Sequence, residues 1–361
     1  MTKRRTAGIA GAVVGLAAAG VAAGLAVERH AIGKTRRADD PLAGEPFGQL
    51  PADDKITVTA TDGVPLHVET VGPDSAPLTV IFVPGFCLDM GTFHFQRRDL
   101  AGGKASRKRR LVLYDQRGHG QSGLSDAAHC TIDQLGADLR RVIEEVAPDG
   151  PLVLVGHSMG GMTIMALADQ WPDVFAERVA GVGLISTSAG SLDSVALGLP
   201  RPVAKLRGVF TPFVADRLRR NAKLYDRARA ASADLAFLLT RRYGFAGSAT
   251  SATLVDYVEH MNGGTPAETI ANFLVAFSAY DQHAALRVFE SIPTLILCGD
   301  RDLLTPVEHS RAIAAALPAA EYIEVVGGGH LMLMDSYDVA NRHLDALFRA
   351  AAARTTGRKK R

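Results

Sequence analysis

The chain has 361 residues, 47% apolar and 22% charged, which suits a globular protein with room for one large domain and an insertion. A net charge of +2 gives no bulk attraction for nucleic acid, so a nucleic-acid partner is not expected. Three cysteines, Cys87, Cys130 and Cys298, suggest no disulfide framework and lack metal-ligand spacing, so no metal site is expected.

The N-terminus opens with Lys3-Arg4-Arg5, and no charged residue follows from Ala7 to Val27. A helix of that length would span a bilayer core of about 30 Å. The run is rich in alanine and glycine, and Ala17-Ala18-Ala19 also offers a signal-peptidase site. The expectation is an uncleaved membrane anchor over about 7–27, with secretion after cleavage as the alternative. Residues 28–52 are polar, with Pro41, Pro46 and Pro51, and read as a linker.

Alternating strands on either side of Asp62-Gly63 predict a hairpin. Apolar strand runs follow at 78–84, 110–115, 151–156, 179–186, 293–299 and 320–326, with helical patterns between most of them. Strands alternating with helices predict a mainly parallel sheet covered on both faces. Thr131/Gln134, Thr265/Glu268 and Thr305/Glu308 fit capping boxes, with Pro266 and Pro306 at first helical positions.

The segment Gly156-His157-Ser158-Met159-Gly160 lies between a strand pattern and a helical one. With 36 glycines in the chain the pentapeptide alone is weak evidence. Its setting is stronger, because strand, sharp turn bearing serine, then helix is what a nucleophile elbow requires. Glycines at 156 and 160 let strand and helix pass where a Cβ would clash.

From Ser191 to about Phe289 no strand pattern appears, which predicts an inserted helical cap over 191–289. Its large apolar residues include Leu197, Leu199, Phe210, Phe213, Leu235, Phe237, Leu238, Leu239, Phe245 and Phe273. Most are expected to pack between cap and sheet, and a few to line a pocket at the sheet's C-terminal edge.

A nucleophilic serine needs a base, and the base an orienting acid. His330 follows a predicted strand and the Gly327-Gly328-Gly329 loop, so it can reach back to Ser158. The segment after the strand at 293–299 supplies Asp300 and Asp302. Asp300 sits one residue past the strand-ending glycine and suits the turn, so Asp302 is the preferred acid. The chain ends in Arg358-Lys359-Lys360-Arg361, which reads as a solvated basic tail over 354–361, with anionic lipid contact as the other reading.

Taken in order, four motifs resemble the α/β-hydrolase fold superfamily over about 55–350. They are Val83-Pro84-Gly85-Phe86; Asp115, Arg117, Gly118, Gly120 and Ser122; Gly156-His157-Ser158-Met159-Gly160-Gly161; and Gly299, Asp302 and Pro306 followed by Gly329-His330. The resemblance is to the serine-nucleophile branch of esterases, monoacylglycerol-lipase-like enzymes and cofactor-free haloperoxidase-like perhydrolases. It implies a mostly parallel eight-stranded α/β sheet with helices on both faces and a helical cap. The core would comprise 53–190 and 290–353. By this resemblance Ser158 is the nucleophile, His330 the general base and Asp302 its acid. The oxyanion donors would be the backbone N–H groups of Phe86 and Met159. The family commonly starts the first of these loops with His-Gly, whereas this chain has Pro84-Gly85.

The implied function is hydrolysis of a carboxylic ester with no cofactor, on an apolar or lipid-like substrate. Perhydrolysis and C–C bond hydrolysis share the same triad and stay open as alternatives. A non-catalytic binding protein on this fold is a further alternative, disfavoured by the intact set. Nothing in the sequence sets an oligomeric state.

Overall fold

A computed structural model describes residues 40–101, 109–192, 195, 207–230, 233–246 and 250–358. The uncharged run at 7–27 lies outside the described residues. Among the described residues no helix is long and apolar enough to cross a membrane.

Eight strands form one sheet in the order β1-β2-β4-β3-β5-β6-β7-β8. They are β1 (Asp54–Thr59), β2 (Pro65–Val71), β3 (Thr79–Val83), β4 (Arg110–Tyr114), β5 (Leu152–His157), β6 (Val179–Ile185), β7 (Thr294–Gly299) and β8 (Glu321–Val325). β1–β2 and β2–β4 pair antiparallel and every other pair is parallel. The hairpin turns at Asp62-Gly63, where Gly63 takes φ +89°.

The helices are α1 (His94–Leu100), α2 (Ile132–Val146), α3 (Met159–Gln170), α4 (Pro172–Glu177), α5 (Arg207–Arg220), α6 (Ala222–Ala230), α7 (Ala233–Gly244), α8 (Ala252–Gly264), α9 (Ala267–Ser278), α10 (Val307–Ala316), α11 (Met332–Asp335) and α12 (Tyr337–Arg358). α12 runs through the boundary expected at 353.

The central strands are buried on both faces, which explains their unbroken apolar runs. Val80, Phe82, Leu113, Val155 and Leu297 point into a core shared with Phe95, Leu344 and Phe348. Their neighbours Ile81, Val83, Val112, Leu154 and Ile296 point the other way, against Leu139, Ile143, Ile164 and Leu167. The alternation is the two-residue period of a strand serving two helical layers.

Thr131 caps α2 as expected, accepting the Gln134 N–H at 3.1 Å. The other two boxes are not formed. Pro266 and Pro306 occupy the cap positions, and neither helix has a side-chain cap. Thr305 is turned away from its helix and serves the site described below.

The polar linker expected up to residue 52 is docked from Asp40 onward. Asp40 accepts the backbone N–H and hydroxyl of Thr253, each at 2.8 Å. Glu45 binds His94 at 2.7 Å and Arg98 at 2.6 Å. Phe47 stacks on Tyr257 with ring centroids 4.5 Å apart. One half-buried aromatic and four carboxylate contacts offset the ordering of this segment, which its proline content concealed.

Between β6 and β7 the described residues form helices and connecting loops, with an isolated bridge pairing Gly190 with Asp281. Phe237, Phe245 and Phe273 are buried there, as expected of core residues. Phe213, Leu235 and Leu239 are exposed, contrary to that expectation. Their helices turn those faces outward, and residue type alone does not carry the direction.

Candidate active site

Three loops at the carboxyl edge of the parallel sheet converge on one point, where open α/β sheets place their sites. Ser158 lies between β5 and α3 with φ 53° and ψ −119°, a conformation costly for a residue with a Cβ. It is held there from both sides. Its N–H donates to the Ile185 carbonyl at 2.9 Å, and the Thr187 hydroxyl donates to its carbonyl at 2.7 Å. A Cβ on Gly160 would collide with the Val83 carbonyl, and one on Gly156 would lie 2.5 Å from the Gly160 backbone. Both glycines are therefore required by close approach.

Ser158 Oγ is 2.9 Å from His330 Nε2, and His330 Nδ1 is 2.7 Å from Asp302 Oδ2. The second contact fixes the tautomer. Nδ1–H donates to the carboxylate, which leaves the Nε2 lone pair facing the serine hydroxyl. The other Asp302 oxygen accepts the N–H groups of Leu304 and Thr305 at 2.8 and 2.9 Å. Burial opposes ionisation of Asp302, but His330 and these hydrogen bonds outweigh it and hold the carboxyl below its usual range.

Asp300 is elsewhere. Its carboxylate accepts the Gly327 N–H at 2.7 Å and so shapes the loop that carries His330.

The β3–α1 loop lies directly over the serine. A Cβ built on Gly85 would stand 3.2 Å from the Ser158 Cβ. Phe86 follows, and Cys87 beside it takes φ 59°. Burial pushes the Cys87 thiol up to about 12, so it is not a thiolate at neutral pH. Met159 is the first residue of α3, so its N–H is among the helix-start donors without an intrahelical acceptor. The Phe86 ring meets Phe277, Phe273 and His119 with centroids 5.1, 6.2 and 5.9 Å away. This gives the site an apolar wall contributed by α9.

A family model of the alpha/beta hydrolase fold matches residues 79–337. The chain belongs to the α/β hydrolase fold family. It is 27% identical to the mouse sn-1-specific diacylglycerol lipase ABHD11, over 75% of this chain and 81% of that protein. Monoacylglycerol lipase of Mycolicibacterium smegmatis is 25% identical, over 70% of this chain and 80% of that one. Among solved structures, a thermophilic esterase from Thermogutta terrifontis superposes with a TM-score of 0.64 at 23% identity, covering 83% of this chain and 99% of that chain. That last likeness speaks to the fold alone.

Three further residues brace this candidate site. His157 is fully buried and donates from Nε2 to the His330 carbonyl at 3.0 Å. Burial, and then the neighbouring His330, depress its pKa to about 3, so it stays neutral beside that imidazole. Thr305 fits a helix cap by sequence. Its hydroxyl instead lies 2.9 Å from Asp302 Oδ2 and 2.8 Å from the Ser186 carbonyl. Thr187 supports the elbow as described. The adjacency of His157 to the serine was a visible signal, whereas the two threonines had none.

The Asp115–Ser122 segment is a braced turn, as its glycines suggested. Asp115 accepts the N–H groups of Met90 and Gln121, each at 2.8 Å. Burial and then the nearby Asp89 push its carboxyl up to about 7. Arg117 is fully buried and forks to Asp138 at 2.6 and 2.7 Å and to Asp62 at 2.6 and 3.1 Å. Burial keeps Asp138 above its usual range, whereas the Arg117 hydrogen bonds lower the less buried Asp62. Among the described residues no group of three or more His, Cys, Asp or Glu side chains could hold a metal.

Proposed function

We propose that this chain is a serine hydrolase of carboxylic esters that works through an acyl-enzyme. The observation that carries the reading is the continuous hydrogen-bonded chain Ser158–His330–Asp302 at an elbow. Ser158 Oγ attacks the ester carbonyl carbon while His330 Nε2 takes the hydroxyl proton. The carbonyl oxygen becomes an oxyanion that accepts the N–H groups of Phe86 and Met159. His330 returns its proton to the leaving alkoxide as the C–O bond breaks. Water then attacks the acyl-enzyme with His330 as base, releasing the carboxylic acid and restoring Ser158. Asp302 holds the imidazole tautomer and stabilises the transient imidazolium. No step calls for a cofactor.

The substrate is proposed to be apolar or lipid-like. Phe86, Phe273 and Phe277 beside the oxyanion donors support this, as do relatives named as diacylglycerol and monoacylglycerol lipases. Each buried methylene contributes about 0.8 kcal/mol, so three more carbons raise kcat/KM by roughly one to two orders of magnitude. Catalytic efficiency on p-nitrophenyl esters is expected to rise from acetate to medium chains and then fall. A maximum at acetate would refute the apolar acyl site and favour perhydrolase-like chemistry.

The uncharged run at 7–27 supports a membrane-anchored location. Full-length protein is expected to stay in the membrane fraction through a high-salt wash. Release by salt alone would mean attachment through the basic clusters instead, because screening removes electrostatic contacts and leaves inserted apolar ones. A mature N-terminus near Gly20 would establish cleavage.

A further inference from the structure

Helices α5, α6 and α7 have an unusual exterior. Between Arg207 and Gly244 the sequence carries nine basic and three acidic residues, a net of +6 against +2 for the whole chain. Across the described side chains of 211–246, the exposed ionic residues are all cations: Arg217, Arg219, Arg220, Lys223, Arg227 and Arg242. The acidic residues there, Asp216, Asp226 and Asp234, are less exposed, and Asp216 is held by Arg220 at 2.8 Å. Apart from Pro212, the remaining exposed residues are apolar or aromatic: Phe213, Val214, Leu224, Tyr225, Leu235 and Leu239. Phe213 and Leu224 are 68% and 67% exposed. Among the described residues no exposed Ser, Thr, Asn, Gln or Glu interrupts the set, and the partly exposed Asp216 side chain is paired with Arg220.

We propose that α5–α7 form a docking surface for a bilayer containing anionic phospholipid. Cations alone would suit any polyanion, and exposed apolar side chains alone any greasy partner. The two together, without neutral polar residues, match an interface with phosphate charge at one depth and hydrocarbon just below it. Arginine also suits this boundary, since its stem packs against apolar groups while its guanidinium remains at the headgroups. One contact ties the surface to the site. The Gly244 carbonyl at the end of α7 accepts the Leu331 N–H at 2.8 Å, one residue beyond His330. A lipid contact on α7 is thereby linked to the loop that carries the proposed base. Docking itself does not depend on the catalytic reading.

The test uses the full chain with the substitutions Trp171→Phe and Phe213→Trp, which leave one indole at the proposed contact. Vesicles carry brominated acyl chains and are either pure phosphatidylcholine or one-third phosphatidylglycerol. No ester hydrolysis is read, so failure here is distinct from failure of the hydrolase assignment. Emission is expected to shift to the blue and lose about half its intensity with the anionic vesicles and to stay unchanged with the neutral ones. Adding Arg217→Gln and Arg220→Gln, four and seven residues from Phe213 and so on its side of the helix, should raise the lipid needed for half-quenching about thirtyfold, since each cation near the surface contributes about fivefold. Anchoring through 7–27 would not itself depend on anionic lipid, so it does not mimic this pattern. The proposal is overturned by absent quenching, or by equal quenching in both vesicles. It is also overturned if the indole is shielded before lipid is added. Shielding that grows with protein concentration would assign the face to a second copy, and shielding independent of concentration to another part of this chain.

Discussion

Ser158→Ala is expected to lower ester turnover by roughly three to six orders of magnitude while the fold persists. The size follows from the chemistry lost. In the proposed mechanism the hydroxyl supplies the bond-forming oxygen, and neither His330 nor Asp302 can substitute for it. Residual rate would come from a water activated by His330 and from the oxyanion donors, which remain in place. Alanine also relieves nothing at the backbone, because φ 53° is as unfavourable for Ala as for Ser. Thermal melting of the variant should therefore stay close to that of the parent. A fluorophosphonate probe should label the parent at Ser158 and fail on the variant. Undiminished turnover in Ser158→Ala would remove the nucleophile assignment, and labelling without hydrolysis of any ester would point to another acyl substrate or to C–C bond cleavage.

Asp302→Asn is the second large effect, about three to four orders of magnitude in kcat. One oxygen of this side chain accepts two backbone N–H groups at 2.8 and 2.9 Å, so an asparagine would place its oxygen there. Its NH2 group would then face His330 Nδ1. Two donors cannot share one hydrogen bond, so the imidazole would shift its proton to Nε2 and lose the lone pair aimed at Ser158. Asp300→Asn should cost less than about tenfold, because an amide oxygen still accepts the Gly327 N–H. The reverse ranking would show Asp300 to be the acid. The pH dependence has a definite sign. The pKa of Asp302 is lowered in the fold, so its contribution to stability is present above the unfolded carboxyl value near 4 and is lost as pH falls through the folded one.

The parts most legible in the sequence were those with a local cause. The six apolar strand runs corresponded to β3–β8 because each central strand must bury both of its faces. The elbow was recognisable because the collisions that Gly156 and Gly160 avoid involve residues close to Ser158 or the strand beside it. Thr131 behaved as a cap because its partner is three residues away. The same pattern at Thr305 misled, because its hydroxyl is drawn to Asp302 and Ser186, 119 residues away in the latter case. Likewise the Asp40–Pro51 segment reads as a linker in sequence because its partners, His94, Arg98, Tyr257 and Thr253, are distant along the chain.

Sequence alone therefore determined the family of fold, the elbow and the identities of the residues available for chemistry, since periodicity, spacing and chain order carry those. Tertiary structure decided between Asp300 and Asp302 as the partner of His330, because that choice rests on which carboxylate the β7–α10 turn aims inward. It also revealed the His157 strut to the His330 carbonyl, across 173 residues. Finally, it turned Phe213, Leu235 and Leu239 outward. Hydrophobicity measures how strongly a side chain avoids water, but only the packing of one helix against the next decides which side chains are covered.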